Sequence, residues 1–291
     1  MDRIFEATAL AKINLALHVT GQRENGFHDL ESLVVFADLG DELTARPAQG
    51  DVLRLSGPFA GALTHGQTNL VSKAVEAFRA RWPGAVPHGI AISLAKNLPV
   101  SAGIGGGSAD AAATLRLMAG LADPPVGLDN LMPVAARLGA DVPVCLYSQS
   151  CLVRGIGEIV EPVDILPPCH LVLVNPLVPV STSEVFRRLK SRANPGLPAI
   201  AEPFSHAAML GLWMAETRND LEQAAIEAVP VIGDLISDLA RTSGCVSARM
   251  SGSGATVFGL FGSEKLAHQA AQDMRGRFPD AWVAAAPLVV G

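Results

Sequence analysis

The chain lacks the features of a nucleic-acid-binding, secreted or membrane-spanning protein. Its 28 Asp and Glu residues outnumber its 22 Lys and Arg residues, and the formal net charge of −6 argues against a general nucleic-acid surface. No window reaches the roughly 18 uninterrupted apolar residues of a membrane span. Residues 1–6 do not combine a basic start with an apolar run, as a secretory signal would. We therefore expect a cytoplasmic protein that binds neither nucleic acid nor membrane.

Cysteine and aromatic residues are also scarce. The four cysteines show no C-x-x-C spacing, which argues against a metal cluster and predicts buried, reduced thiols. With one Tyr and three Trp among 49% hydrophobic residues, the core must be mainly aliphatic. A length of 291 residues predicts one large domain or two ordinary ones.

What is present is a mixture of strand and helix patterns. Apolar, β-branched runs predict a β-rich opening, with strands near residues 7–20 and 30–39. Apolar residues at helical spacing predict a helix over 69–82, with Asn69 as its N-cap. The sequence therefore predicts an α+β fold.

The second half of the chain continues this mixture after a Pro-rich break. Residues 166–168, Leu-Pro-Pro, are the best linker candidate, so we predict domains over residues 1–164 and 165–291. Asn219 and Glu222 are spaced as the N-cap and N3 residues of a helix, which predicts a capping box.

The most informative segment is the glycine run at residues 103–107, which has four glycines in five residues. Such a run should interrupt any helix or strand. Residues 89–94 before it have a strand pattern, and residues 111–117 after it are strong helix formers. A glycine loop between a strand end and a helix start gathers backbone N–H groups at the positive end of a helix dipole. That arrangement binds phosphate without a cationic side chain.

The loop matches neither of two common nucleotide motifs. No Lys follows its glycines, as a P-loop requires, and the third glycine position of G-x-G-x-x-G, counted from Gly103, is Ser108. A purely structural glycine turn is the alternative. Further motifs elsewhere in the chain weaken that alternative.

Together these motifs resemble the GHMP small-molecule kinases, whose nucleotide loop reads P-x-x-x-G-[LI]-G-[GS]-[GS]-S. The three consecutive glycines before Ser108 are similar to one branch, the 4-diphosphocytidyl-2-C-methyl-erythritol kinases. The resemblance covers residues 8 to about 261. It implies a two-domain GHMP kinase fold, with a β-rich N-terminal domain carrying the nucleotide-loop helix and an α+β C-terminal domain. The segments that carry it are P-V-S-A-G-I-G-G-G-S at 99–108, A-K-I-N-L at 11–15, G-Q-R-E-N-G-F-H at 21–28, G-A-D-V-P at 139–143 and M-S-G-S-G at 250–254.

The resemblance implies an enzyme that uses ATP, with Mg²⁺, to phosphorylate the 2-hydroxyl of 4-diphosphocytidyl-2-C-methyl-erythritol in the non-mevalonate isoprenoid route. Two alternatives remain. The same fold could act on homoserine or a mevalonate-type alcohol, or the chain could be a non-catalytic nucleotide-binding module. Lys12 and Asp141 disfavour the module, because a binding protein needs no base.

The resemblance also implies roles for individual residues in the ATP half of the reaction. Asp141 is the expected base for the substrate hydroxyl, and Lys12 is its electrostatic partner. Lys96 and Asn69 are expected at the adenine side. Asp110, close to the phosphates, either complements the helix dipole or approaches Mg²⁺. The expected ATP-binding loop consists of Pro99, Val100, Ser101, Ala102, Gly103, Ile104, Gly105, Gly106, Gly107, Ser108 and Ala109, with Ala109 where the family usually has Ser.

For the alcohol substrate, the resemblance implies a cytosine ring held by stacking. Phe27, where the branch usually has Tyr, and Phe186 are the expected stacking residues, and His28 is expected to contact the cytosine edge. Asn14 and Thr182 are expected to contact the remainder of the substrate.

Overall fold

The structure is a computed structural model that describes residues 4–63 and 69–290. The described residues form an α+β protein whose chain divides into two compact units. The first unit contains the described residues up to Ala11 and those of the segments Leu39–Val100 and Gly105–Ser148. The second contains Lys12–Asp38, Ser101–Ile104 and the described residues from Gln149 onward. The predicted boundary between residues 164 and 165 stays a prediction.

The first unit combines strands with a group of helices. Two long strands, β1 and β2, pair with each other, and the division between the units falls within both of them. In this unit the later part of β2 pairs antiparallel with β4, and β3 pairs parallel with β4. The elements are β1 (Phe5–Gln22), β2 (His28–Ala48), β3 (Val52–Ser56), α1 (Leu70–Arg81), β4 (Gly89–Ala95), α2 (Gly106–Leu121), α3 (Leu128–Leu138) and α4 (Val142–Tyr147), with a short 3₁₀ turn at Ala60–Leu63.

Helix α1 has the start that the sequence predicts. Asn69 is its N-cap, and the Asn69 Oδ1 accepts a 2.9 Å hydrogen bond from Val71 N. Val71, Ala74 and Phe78 are buried, as their helical spacing predicts. The neighbouring helix α2 buries a run of alanines, and small side chains let helices pack at short distance.

The second unit contains two sheet segments. The early part of β2 pairs with β5, which forms an antiparallel hairpin with β6. A separate antiparallel sheet has the order β10-β7-β9-β8, and helices α8 and α9 pack on it around a mainly aliphatic core. The elements are β5 (Cys151–Gly155), β6 (Ile159–Pro162), β7 (His170–Asn175), α5 (Thr182–Arg187), α6 (Ala207–Ala215), α7 (Glu222–Ala228), α8 (Val231–Ala240), β8 (Cys245–Met250), β9 (Val257–Phe261), α9 (Glu264–Arg277) and β10 (Trp282–Pro287).

Two local predictions are wrong. The glycine run does not exclude helix, because α2 begins at Gly106 and takes Gly106 and Gly107 into its first turn. The capping box does not form either, since α7 begins at Glu222 itself. The Glu222 Oε2 accepts a 2.8 Å hydrogen bond from Met250 N on β8, so a tertiary contact replaces the local one.

The cysteines agree with a simpler expectation. All four cysteines are unbridged thiols, and Cys145, Cys151 and Cys169 are buried. Burial raises the pKa of the Cys151 and Cys169 thiols to about 12. Within residues 4–63 and 69–290, no helix combines the length and the apolar character needed to cross a membrane.

Candidate active site

The glycine loop turns sharply and then opens directly into α2. Gly103 and Gly105 have left-handed φ angles of 74° and 67°, which glycine adopts without strain. Gly105 is the N-cap, and its carbonyl accepts a 2.8 Å hydrogen bond from Ala109 N, the first bond of the helix. The N–H groups of the three preceding helical residues, Gly106 to Ser108, have no partner inside the helix. This is the arrangement that a phosphate-binding helix start requires.

A second glycine turn, residues 251–254, packs against the first within the second unit. A Cβ at Gly103 would lie 2.6 Å from the Gly254 carbonyl oxygen and 2.7 Å from that of Ser251. The Ser251 hydroxyl donates a 3.1 Å hydrogen bond to the Gly103 carbonyl, and Thr256 N donates one of 3.0 Å to the Ala102 carbonyl. The M-S-G-S-G motif therefore supports the backbone of the glycine loop.

Lys12 is buried on β1, with only 4% of its surface exposed. Its Nζ donates a 2.8 Å hydrogen bond to Asn14 Oδ1, and its backbone N–H donates to the Ile104 carbonyl. The Asn14 amide nitrogen Nδ2 donates to Ser32 Oγ at 2.7 Å, and Asn14 N donates to Ser251 Oγ. The structure thus brings together Lys12 and Asn14, and the Asn14 carboxamide links the ammonium to Ser32.

Asp141 lies at the N-cap position of α4 in the first unit, with an exposed side chain. Its side chain makes no capping hydrogen bond to α4. Arg116 of α2 donates 2.9 Å hydrogen bonds to the Cys145 carbonyl and to Ser148 Oγ at the other end of α4. Because Arg116 also donates to the Thr8 carbonyl, one guanidinium fixes the helix that Asp141 precedes. The pairing of Asp141 with Lys12 stays a prediction.

Lys96 is not a solvated loop charge. It is 1% exposed, and its ammonium forms ion pairs with Asp41 and, at 2.7 Å, with Asp110. Asp110 is therefore committed to an ion pair, and its expected roles at the helix dipole or Mg²⁺ stay predictions. Asn69 is the other residue expected at the adenine side. The Asn69 Oδ1 accepts the capping hydrogen bond of α1, whereas the Asn69 Nδ2 is buried with no hydrogen-bond partner among the described residues.

The expected cytosine-binding residues lie in the second unit. The rings of His28 and Phe186 stack, with centroids 4.9 Å apart and planes inclined by 27°. Burial, assisted by the positive charge of Arg192, lowers the pKa of His28 and so favours its neutral ring. Phe27 is 57% exposed, and the Thr182 hydroxyl shares a 2.8 Å hydrogen bond with Ser253 Oγ.

Sequence reasoning missed several supporting residues. Asp41, Ser32 and Arg116 each hold a predicted site residue or the helix beside it. No local motif marks Asp41 or Ser32, because their partners are distant in sequence. The one available signal for Arg116 is a lone cation on an otherwise alanine-rich, apolar helix, which indicates a buried partner.

Two family models match the chain. The model of the GHMP kinases N terminal domain matches residues 69–149, and that of the GHMP kinases C terminal region matches residues 197–280. A curated relative from Rhizobium etli (strain CIAT 652) is 48% identical over 283 residues, covering 97% of this chain and 94% of its own. Another, from Cereibacter sphaeroides (strain ATCC 17025 / ATH 2.4.3), is 48% identical over 282 residues, covering 96% and 97%. The chain therefore belongs to the GHMP kinase family.

Both relatives bear the name 4-diphosphocytidyl-2-C-methyl-D-erythritol kinase. A crystal structure of 4-(cytidine 5'-diphospho)-2C-methyl-D-erythritol kinase has a TM-score of 0.80 and 32% identity to this chain, covering 99% of it and 100% of that chain. A homoserine kinase from Cytophaga hutchinsonii has a TM-score of 0.74 at 19% identity, with 99% and 98% covered, and shares the fold. These comparisons confirm the predicted family, branch and fold class.

Proposed function

We propose that the chain is an ATP-dependent kinase that phosphorylates the 2-hydroxyl of 4-diphosphocytidyl-2-C-methyl-D-erythritol, in the cytoplasm, on the non-mevalonate route to isoprenoid precursors. The single observation that carries this proposal is the 48% identity, over nearly the full length of both chains, to relatives named for that activity. The structural likeness to a homoserine kinase, at 19% identity, supports the fold alone. The relatives therefore favour this alcohol over homoserine or mevalonate.

The ATP half of the proposal rests on the loop and the helix it opens. Residues 99–109 would surround the β- and γ-phosphates, with the N–H groups of Gly106, Gly107 and Ser108 directed at them. A chain with a net charge of −6 has no global attraction for an anion, so these local dipoles must supply it. Asn69, with its unpartnered Nδ2, and the backbone around Lys96 remain the proposed adenine contacts.

The proposed chemical step is an in-line transfer of the γ-phosphoryl group. The substrate 2-hydroxyl oxygen attacks the γ-phosphorus, the bond to the ADP oxygen breaks, and the hydroxyl proton passes to the Asp141 carboxylate. Lys12 supplies positive charge where the alkoxide and the transferred phosphoryl group carry negative charge. Its hydrogen bond to Asn14 keeps the buried ammonium in one position, which is what electrostatic catalysis needs.

The substrate half rests on the aromatic residues of the second unit. Phe186 and the exposed Phe27 would hold the two faces of the cytosine ring, and a neutral His28 would contact its edge. Phe27 retains the stacking face of the usual Tyr but lacks its hydroxyl. Thr182, linked to the second glycine turn through Ser253, would contact the remainder of the substrate, as Asn14 would through its position beside Lys12.

The family resemblance also implies Mg²⁺. Among the residues that the structure describes, no group of three or more His, Cys, Asp or Glu side chains is arranged to hold a metal ion. The described residues therefore do not fit a metal site built by the protein, and the phosphoryl transfer proposed above uses no such site. Mg²⁺ commonly binds through substrate phosphates with few protein ligands, so we propose that it enters with ATP.

The test is ADP release with a panel of alcohols: 4-diphosphocytidyl-2-C-methyl-D-erythritol, homoserine and mevalonate. We expect turnover with the first alone, and inhibition by cytidine nucleotides. Asp141→Asn and Lys12→Ala should each reduce kcat by about 100-fold or more while ATP still binds. Asp129→Asn, an exposed first-turn acid of α3, is the matched control. ATP binding without transfer to any alcohol would point to the binding module instead.

A further inference from the structure

A buried group of three charges lies beneath the start of α2 in the first unit. Lys96, directly after β4, is 1% exposed, Asp41 of β2 is 0% exposed and Asp110 of α2 is 3% exposed. The Lys96 ammonium binds one carboxylate oxygen of each acid. We call these three residues the charged triad. Burying three charges is costly, so their presence calls for a role beyond packing.

The two acids of the charged triad have unequal surroundings. The Asp41 Oδ1 accepts hydrogen bonds from Asn97 N at 2.6 Å and Leu98 N at 2.8 Å, while its Oδ2 accepts from Lys96. Three donors therefore meet the Asp41 carboxylate. Asp110 has Lys96 as its one donor, and its Oδ1 is buried with no hydrogen-bond partner in the described parts of the chain.

Asp110 is thus the acid of the triad with an unsatisfied buried oxygen. Burial raises the pKa of Asp110 to about 7; the Lys96 charge opposes the rise and the Asp41 charge adds to it. Two neighbours of this turn within residues 4–63 and 69–290 are directed elsewhere or are apolar. Helix α1 meets the turn through Leu70, and Arg116 of α2 is directed at the backbone carbonyls of Thr8 and Cys145. Near pH 7 the Asp110 carboxyl is therefore divided between its protonated and ionised forms.

Gly106 connects the charged triad to the phosphate-binding turn. A Cβ at Gly106 would lie 3.2 Å from Lys96 Nζ and 4.0 Å from Asp41 Oδ2. The ammonium thus lies directly under the first residue of α2, and Asp110 follows four residues later on the same helix face. The position of that first turn depends on the triad.

We propose that Lys96, Asp41 and Asp110 are positioning residues for ATP, and that Asp110 takes up a proton when the nucleotide phosphates reach the first turn of α2. The inference rests on the proposed function, since it takes the loop as the phosphate site. Phosphate charge beside a buried carboxylate disfavours its ionised form. Binding is therefore easiest when Asp110 is protonated, and nucleotide affinity falls as pH rises above the point at which free Asp110 loses its proton.

The first experiment measures proton uptake directly. A non-hydrolysable ATP analogue is titrated into the protein by calorimetry at about pH 7, in two buffers of different ionisation enthalpy. We expect an uptake of roughly 0.3 to 0.5 proton per nucleotide beyond that of Asp110→Asn, whose own value accounts for titration of the nucleotide. Asp129→Asn should match the wild type. Equal uptake by wild type and Asp110→Asn would overturn the proposal.

A second experiment follows affinity against pH. Relative to Asp110→Asn, the wild-type dissociation constant for the analogue should rise about three- to tenfold between roughly pH 7 and 8.5. Parallel curves would overturn the proposal. Because no alcohol is present, this result does not depend on which alcohol is phosphorylated. If the analogue fails to bind the wild type at all, the proposed function itself fails.

Two neighbouring glycines provide a matched pair for the positioning role. Gly106→Ala presses on Lys96 Nζ, whereas a Cβ at Gly107 would meet Leu70 Cδ1 at 3.4 Å and no charge. We expect Gly106→Ala to change the proton uptake on binding and to raise the KM for ATP at least fivefold more than Gly107→Ala does. If both variants leave the proton uptake at the wild-type value, the triad does not communicate with this turn.

Discussion

The Lys12 ammonium and the Asn14 carboxamide, two residues apart on one face of β1, form a buried 2.8 Å hydrogen bond. The amide nitrogen of Asn14 continues the chain of contacts to Ser32, whose hydroxyl donates to the Ala16 carbonyl. Asn14 therefore holds the ammonium, which gives it a positioning role in addition to its proposed contact with the substrate.

Removing this support should slow the chemical step. We expect Asn14→Ala to reduce kcat about 10- to 100-fold with little change in the KM for ATP, because a hydrogen bond to a charged group contributes about 1.5–3 kcal/mol. Steady-state kinetics measures both constants. Ser32→Ala, one contact further from Lys12, should have a smaller effect. A wild-type kcat for Asn14→Ala would contradict this role.

The Phe186 ring should matter for the cytidine-bearing substrate and not for ATP. Phe186→Leu keeps an apolar side chain against the neighbouring core but removes the stacking face. We expect the KM for the alcohol to rise about 5- to 150-fold, equivalent to 1–3 kcal/mol for one stacked base. Phe204→Leu, which alters a ring pair with Trp213 elsewhere in the same unit, is the control and should leave that KM unchanged.

The contact between the two glycine turns should be intolerant of any side chain. Gly103→Ala adds a Cβ 2.6 Å from a carbonyl oxygen at a φ of 74°, so we expect a loss of roughly 2–4 kcal/mol in the free energy of unfolding. Urea unfolding measures it. Gly276→Ala, in α9 with nothing within 4 Å of the added Cβ, should be neutral or slightly stabilising. Equal stability of the two variants would contradict the tight packing.

Asp110 should also make the free energy of unfolding depend on pH. Its pKa is raised from 3.8 to about 7 in the folded protein, so the folded state binds more protons than the unfolded state between these values. The contribution of Asp110 to the free energy of unfolding is complete below about pH 4. It falls as pH rises to about 7, by at most roughly 1.4 kcal/mol per pH unit. The difference in unfolding free energy between wild type and Asp110→Asn, measured across this range, isolates the effect. A constant difference would contradict it.

The sequence predicts most of the regular structure because its local patterns are strong. The helix over residues 69–82 and the strands near residues 7–20 and 89–94 appear within a few residues of their expected ends, and the strand near 30–39 lies within the longer β2. The sequence patterns do not predict helices α6, α8 and α9 or strand β10. In α6, apolar residues occur on every face, so the helical period that would reveal it is absent.

The site shows the limit of local patterns more clearly. Motifs identify Lys12, Asp141 and the glycine loop because chain neighbours define them. The roles of Lys96 and Asp110 depend on Asp41, which is 55 positions from Lys96 in the chain. A lone lysine after a strand ordinarily indicates a solvated charge, and only the tertiary contact reveals it as buried. Likewise, the failed capping box at Glu222 reflects a partner on β8 that no local spacing predicts.

The closeness of Gly106 to the Lys96 ammonium has a consequence for the evolution of such chains. Of the three consecutive glycines, Gly105 is favoured by its left-handed φ, whereas a Cβ at Gly106 would lie 3.2 Å from the Lys96 ammonium. Substitutions at the positions of Lys96 and Gly106 should therefore be correlated among relatives. Among relatives, those with a shorter or uncharged residue at the position of Lys96 should be the ones that admit alanine at the position of Gly106, and this paired change would separate lineages within the family.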